Sequence, residues 1–116
     1  MIKRSDPHGD VLHEVVENDG ILYFAGITGE DKGQDMAGQT RSVLAQADQL
    51  LAAHGSDRNH LLTALIFITD MKLKPEMNKL WKEWLTPAQL PTRATIGSSD
   101  LDGYLIEVVF TAAKAG

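Results

Sequence analysis

The sequence predicts an α+β fold in which one mixed β-sheet carries two helices on the same face. Two segments, one after Asp35 and one after Pro75, repeat apolar residues at three- and four-residue intervals, which is typical of amphipathic helices. The remaining segments are shorter and rich in β-branched and aromatic residues, which indicates strands. A length of 116 residues, 43% of them hydrophobic, predicts one domain spanning residues 1–116.

The N-terminal part predicts a β-hairpin. Residues 11–17 and 21–25 are rich in strand-forming residues, and residues 18–20 (Asn-Asp-Gly) tolerate the positive φ angles of a tight turn. A short strand at residues 2–4 can precede this hairpin. The polar, Gly-rich residues 26–34 that follow it predict a loop.

A long helix is predicted next. Asp35 is the predicted N-cap, and His54-Gly55 supplies the stop, since glycine readily adopts the left-handed conformation that follows a helix. The apolar stripe of this helix consists of Met36, Thr40, Val43, Leu44, Ala47, Leu50 and Leu51, with Gln39, Arg41, Gln46 and Asp48 between them.

The second half predicts a strand, a helix and two more strands. Residues 61–68 form an apolar run too short for a long helix, which predicts a strand buried on both faces. Pro75 opens a second helix that ends before Pro87, and residues 92–96 and 104–112 predict the last strands. The apolar side of the second helix consists of Met77, Leu80, Trp81 and Trp84. The sheet face without helices needs a cover, and a partner subunit is the simplest one.

Composition argues against several classes of function. The net charge is −5 and the 11 Lys and Arg residues are scattered, so no nucleic-acid partner is expected. The longest apolar run, residues 61–68, is too short to cross a membrane, and the polar N-terminus lacks a signal peptide's apolar segment. With no cysteine, the sequence is that expected of a cytoplasmic protein.

No motif for a metal or an organic cofactor occurs. The four histidines, His8, His13, His54 and His60, lack the spacing of metal ligands. Residues 26–29 (Gly-Ile-Thr-Gly) are too short for a phosphate-binding loop, and no serine lies in a nucleophile elbow. We therefore expect neither a metal nor a cofactor.

The last strand contains one unusual residue. Glu107 is a single carboxylate in a nearly continuous apolar strand, and burying it without a partner costs several kcal/mol. If residues 92–96 and 104–112 form a hairpin with Ile96 opposite Tyr104, then Arg93 lies opposite Glu107 on the same face.

Two interpretations of this pair remain open. A structural cross-strand ion pair would contribute about 0.2–1 kcal/mol to stability. In a functional site, the planar fork of Arg93 would bind a substrate carboxylate and Glu107 would hold a water or move a proton.

The order and spacing of several motifs resemble one known family. They are Gly26 after the second strand, Gln39-Thr40-Arg41 in the first helix, Asp70 followed by Asn78 and Trp81, the segment Pro91-Thr92-Arg93-Ala94-Thr95, and Ile106-Glu107-Val108. Together they resemble the Rid family of reactive-intermediate deaminases, also called YjgF or L-PSP proteins, over essentially the whole chain.

The resemblance implies a chorismate-mutase-like fold, a homotrimer with a central β-barrel, and clefts between subunits. In the deaminating branch, a small 2-imino or 2-enamino acid, such as 2-iminobutanoate or 2-iminopropanoate, is hydrolysed to a 2-keto acid and ammonia. The resemblance assigns carboxylate binding to Arg93, water positioning to Glu107 and a pocket-lining role to Asn78. It implies no cofactor.

The chain also departs from the family pattern. The tyrosine usual on the first long strand is replaced by Leu12-His13, so His13 is the candidate for that contact, and the usual cysteine is Thr95, which retains a hydrogen-bonding group. Residues 25–27 are Ala-Gly-Ile where Ser-Gly-Gln is common. These changes leave open a non-enzymatic trimeric binder of small carboxylates or a protein-interaction module. A nuclease, the third possibility, is disfavoured by the acidic balance.

Overall fold

The computed structural model describes all 116 residues as one mixed sheet with two α-helices. The strands are β1 (Lys3–His8), β2 (Leu12–Asn18), β3 (Ile21–Phe24), β4 (Ile27–Thr28), β5 (Leu61–Ile68), β6 (Thr92–Gly97) and β7 (Ile106–Ala113). The helices are α1 (Met36–Ala53) and α2 (Lys74–Trp84). The predicted order of elements is confirmed, and β4 lies within a segment that was predicted to be a loop.

The strands follow the order β1-β2-β3-β7-β5-β6, with the short β4 also paired to β7. β5 and β6 are parallel and every other pair is antiparallel. The segment between β5 and β6 contains α2, as expected of a crossover between parallel strands. β6 is consequently an edge strand, and β5 lies between β6 and β7.

The core lies between the sheet and the two helices. Asp35 caps α1 by accepting a hydrogen bond from the Gly38 N–H at 2.9 Å, and Gly55 adopts φ +75° after its end. The predicted stripe faces the sheet, with Val43 fully buried. The sequence pattern places Gln39 between the stripe residues, but in the structure it is also fully buried. Its amide joins three backbone groups, donating to Gln34 and Lys32 and accepting from the Leu105 N–H.

The predicted hairpin between the last two strands is wrong. β6 pairs with one edge of β5 and β7 pairs with the other, so the two strands are not neighbours. The connection between them passes the end of β5, where the Ser98 N–H donates to the Ile68 carbonyl at 2.9 Å and the Thr69 N–H donates to the Leu105 carbonyl at 3.1 Å. Both edges of β5 are therefore paired, which fits its nearly continuous apolar sequence.

The face of the sheet opposite the helices, which we call the open face, has no cover within the chain. The prediction that β5 is buried on both faces is therefore wrong for the single chain: Ala64, Ile66 and Ile68 are buried, while the alternate residues are not. The paired residues of the open face on β3, β7, β5 and β6 are Ile21, Tyr23, Ala113, Thr111, Val109, Glu107, Thr63, Leu65, Phe67, Thr92, Ala94 and Ile96.

Candidate functional site

Arg93 lies on the edge strand β6, on the side of the sheet that faces the helices. It pairs with the buried Ala64 of β5, and the Arg93 Cζ lies 5.5 Å from the centre of the Trp81 ring. Trp81 in turn stacks on Phe110, with ring centres 6.1 Å apart and ring planes 1° from parallel. The guanidinium is thus the outermost member of a stack that begins in the core.

No acidic residue of the chain forms an ion pair with Arg93. Burial lowers the pKa of Arg93 from its usual value, because removal from water disfavours the cation. An arginine remains protonated despite such a shift. The edge of the sheet therefore presents a half-buried cation whose charge no carboxylate of this chain offsets.

Glu107 lies on the open face in the middle of β7. It pairs with Phe67 of β5 on one side and with Thr28 of β4 on the other. Its carboxylate packs directly against the Cα of Gly26, where any added Cβ would overlap a carboxylate oxygen. Gly26 therefore provides the space that Glu107 occupies, and no cation of the chain forms an ion pair with Glu107.

The structure does not bring Arg93 and Glu107 together within one chain. Arg93 pairs with Ala64 and Glu107 pairs with Phe67, and residues three apart on a strand project from opposite faces. The predicted cross-strand contact is therefore wrong, and so is the structural ion pair that was its alternative. A site that uses both side chains needs a second chain.

Two other predicted residues are on the same side of the sheet as Arg93. Thr95 is two residues further along β6, and Asn78 lies one helical turn before Trp81 on α2. The Thr95 Oγ1 and the Asn78 Oδ1 are buried, and neither has a hydrogen-bond partner in the chain. Such groups are rarely left unpaired, so both are candidates for contact with a bound molecule.

His13 is not near Arg93 within the chain. It lies exposed on β2, where it pairs with Pro7 of β1. Three strands, β3, β7 and β5, separate β2 from β6 in the sheet. A contact of His13 with the same bound molecule as Arg93 would therefore also depend on a second chain.

A second arginine forms a network that the sequence did not predict. Arg58 donates two hydrogen bonds to the Asp48 carboxylate, at 2.8 and 2.7 Å, and one to the Trp84 carbonyl at 2.8 Å. The Trp84 indole N–H also donates to Asp48. The hydrogen bond from Arg58 lowers the pKa of Asp48, and the reciprocal contact raises the pKa of Arg58. Asp48 and Arg58 are 10 residues apart in sequence, with no periodic spacing to indicate their contact.

The structure contains no group of three or more His, Cys, Asp or Glu side chains arranged to hold a metal ion. Measured by length and hydropathy, neither α1 nor α2 could cross a lipid bilayer. The predicted site residues offer the guanidinium of Arg93, the amide of Asn78 and the hydroxyl of Thr95 on one side of the sheet, and the carboxylate of Glu107 on the other.

Comparisons with known proteins identify the class to which this sheet with two helices on one face belongs. A solved structure of a YjgF protein family member from Neisseria meningitidis superposes with a TM-score of 0.91 at 32% identity, covering 100% of this chain and 97% of that one. The family model described as Endoribonuclease L-PSP matches residues 2–114.

Curated relatives agree with this result. A RutC family protein of Haemophilus influenzae is 38% identical over 103 residues, which are 87% of this chain and 89% of the relative. The RutC family protein YoaB of Escherichia coli is 33% identical over 101 residues, 86% of this chain and 88% of the relative. The chain belongs to the family known as RutC, YjgF or L-PSP, as the sequence resemblance predicted.

Proposed function

We propose that the chain is a hydrolytic deaminase of reactive 2-imino and 2-enamino acids, which it converts to 2-keto acids and ammonia. Membership of the family supports this class of activity. The observation that carries the proposal is the half-buried Arg93 cation, held at the sheet edge with no carboxylate of its own chain. A guanidinium fork in that state is suited to a substrate carboxylate.

The chemistry demands little of the protein, because a protonated imine is already electrophilic at C2. As a water oxygen bonds to C2, Glu107 accepts one water proton and the C=N π electrons move to nitrogen, giving a carbinolamine. Return of that proton to nitrogen allows the C–N bond to break. Ammonia leaves, and the hydroxyl becomes the carbonyl of the keto acid as it loses its proton. An enamine enters after tautomerising to the imine.

We further propose that each site is completed between two chains of a homotrimer, with Arg93 from one and Glu107 from the next. The two side chains project from opposite faces of one sheet, so a single chain cannot present both to one substrate. The open face carries exposed apolar residues, including Tyr23 at 48% and Ile96 at 43% exposure. Covering such a face is a normal reason for self-association.

Mixing two inactive variants tests this arrangement. Arg93→Ala and Glu107→Gln are each expected to lose ammonia release from 2-iminopropanoate generated in situ. Subunit exchange between them should restore intact sites, about one quarter of the total in a random mixture if each site takes one residue from each chain. As a control, each variant alone is taken through the same subunit-exchange procedure and should stay inactive. Failure of a folded, exchanged mixture to recover activity would contradict the shared site.

A non-enzymatic binder of small carboxylates is the second candidate. The replacement of the family tyrosine by Leu12-His13 favours it, because that part of the site has lost a phenol. The unpaired Arg93, Asn78 and Thr95 groups would then bind a keto acid without turning it over. Saturable pyruvate binding without ammonia release from imines would support the binder and contradict the deaminase.

A further inference from the structure

Trp81 occupies an unusual position between the core and the candidate site. One face of its ring stacks on the buried Phe110, and the Arg93 guanidinium lies 5.5 Å from the ring centre. Only 5% of Trp81 is exposed, so the ring cannot swing away without disrupting the core. Sequence patterning explains Trp81 as an apolar residue of α2, and the contact with Arg93 goes beyond that role.

An aromatic face stabilises a cation in a way that a carboxylate does not. A carboxylate partner would accept the N–H donors of the guanidinium, so a ligand would have to compete with it. A ring face attracts the positive charge through its quadrupole and accepts few or none of those donors. Arg93 on Trp81 is therefore held in place while its hydrogen-bonding fork remains available.

We infer that Trp81 is a positioning residue: its ring holds the Arg93 guanidinium at the sheet edge with its N–H donors free for the carboxylate of the ligand. This inference rests on the proposed role of Arg93 in binding carboxylates, and it adds the device that maintains that role. It requires the aromatic face of Trp81, whereas a core-filling role requires only its volume.

Trp84 provides a matched control within the same helix. It lies one turn after Trp81, is similarly buried at 8% exposure, and belongs to the same aromatic cluster, with its ring centre 5.9 Å from that of Phe110. It also has a guanidinium near its ring, the Arg58 Cζ at 5.2 Å. Arg58 already donates to Asp48, so Trp84 should matter for stability and not for carboxylate binding.

The two tryptophans are the only ones in the chain, which allows each to be observed separately by fluorescence. In Trp84→Phe the remaining emission comes from Trp81, and pyruvate titration should change it saturably. In Trp81→Phe the emission comes from Trp84 and should not respond. Adding Arg93→Ala to Trp84→Phe should abolish the response. A response of Trp84 equal to that of Trp81, or no response of Trp81 despite calorimetric binding, would overturn the inference.

Affinity provides the second measurement. We expect Trp81→Leu to weaken calorimetric pyruvate binding about tenfold, Trp81→Phe to retain most of the affinity, and Trp84→Leu to leave it unchanged. Unchanged binding by Trp81→Leu would overturn the inference. If Trp81→Leu does not fold, the fluorescence comparison decides, because its variants keep an aromatic ring at each position.

Neither measurement depends on turnover. Pyruvate binding that follows this pattern in a protein without deaminase activity would contradict the proposed reaction and leave the role of Trp81 intact. Full deaminase activity in which Trp81→Leu changes neither pyruvate affinity nor KM would support the proposed reaction and contradict the role of Trp81. The two failures are therefore distinguishable.

Discussion

Arg58 and Arg93 lie near the rings of two tryptophans one helical turn apart, yet their surroundings differ in every other respect. Arg58 forms a two-pronged ion pair with Asp48 and also donates to a backbone carbonyl. Arg93 forms no ion pair in the chain. The pKa of Arg58 is raised by its carboxylate partner, whereas burial lowers the pKa of Arg93.

This difference is the one expected between an arginine with a structural role and the carboxylate-binding arginine that we propose Arg93 to be. The contacts of Arg58 join α1, α2 and the turn before β5, so its charge is offset by the protein itself. Arg93 bears the cost of partial burial with only an aromatic face to offset it, and a ligand carboxylate would supply the missing charge. Alanine is therefore expected to weaken ligand binding at position 93 and to weaken the stability of the fold at position 58.

The largest effect is expected from Arg93→Ala. Loss of a two-pronged, charge-assisted contact should cost about 3 kcal/mol of pyruvate binding, or about 100-fold in affinity. The free energy of unfolding should change little, since no ion pair is lost. Calorimetric titration and urea unfolding measure the two quantities. An Arg93→Ala variant that binds pyruvate as tightly as the unmodified protein would end the assignment of this site.

The reverse result is expected from Arg58→Ala. Removing the partner of Asp48 and Trp84 should lower the free energy of unfolding by about 1–2 kcal/mol, after allowance for the partial exposure of both charges. Thermal unfolding should then occur at least about 5 °C lower. Pyruvate affinity should stay unchanged below that temperature. A loss of affinity equal to that of Arg93→Ala would remove the distinction between the two arginines.

A smaller effect concerns acid stability. The pKa of Asp48 is lower in the folded chain than in the unfolded one, so the pair stabilises the fold above about pH 5 and loses this contribution as the pH falls through about 4 and below. Asp48→Asn keeps the size and lacks the charge. Its stability deficit in urea should be constant near neutral pH and shrink in acid. The pKa of Asp57 is also lowered, by hydrogen bonding to His60, but Asp57 is present in both the unmodified protein and Asp48→Asn. Its contribution to acid stability therefore cancels in the comparison.

Much of the fold was predictable because local patterning determines it. The stripe that contains Val43 and Leu51, the cap at Asp35 and the stop at Gly55 located α1. Pro75 located the start of α2. Each of these signals acts over a few residues, so a sequence can reveal it without knowledge of the partners.

The strand neighbours were not predictable in the same way. Adjacent strands in sequence often pair, and that tendency suggested a hairpin containing Arg93 and Glu107. The parallel pairing of β5 with β6 depends on how α2 packs across the sheet, which is a non-local property. Once β5 is inserted, the register of paired residues places Arg93 and Glu107 on opposite faces.

The candidate site was therefore only partly accessible from sequence. Arg93 was singled out from an assumed hairpin as well as from motif resemblance, and Asn78 and Thr95 from resemblance alone; the structure places all three on one side of the sheet. The space beside Gly26 was missed because Glu107 is far from it in the chain, and the contact between Trp81 and Arg93 was missed because it depends on how α2 packs across the sheet. Burial patterning alone assigns a tryptophan in a helix stripe to the core.

The placement of Arg93 and Glu107 on opposite faces has a consequence for the behaviour of the protein in dilute solution. If each site takes one residue from each of two chains, activity per chain depends on concentration through the assembly equilibrium, and dilution removes it without unfolding any chain. Substrate that bridges two chains would in turn favour their association. An inactive variant co-produced with the normal chain would also disable sites on normal neighbours, in proportion to its share of the mixed assemblies.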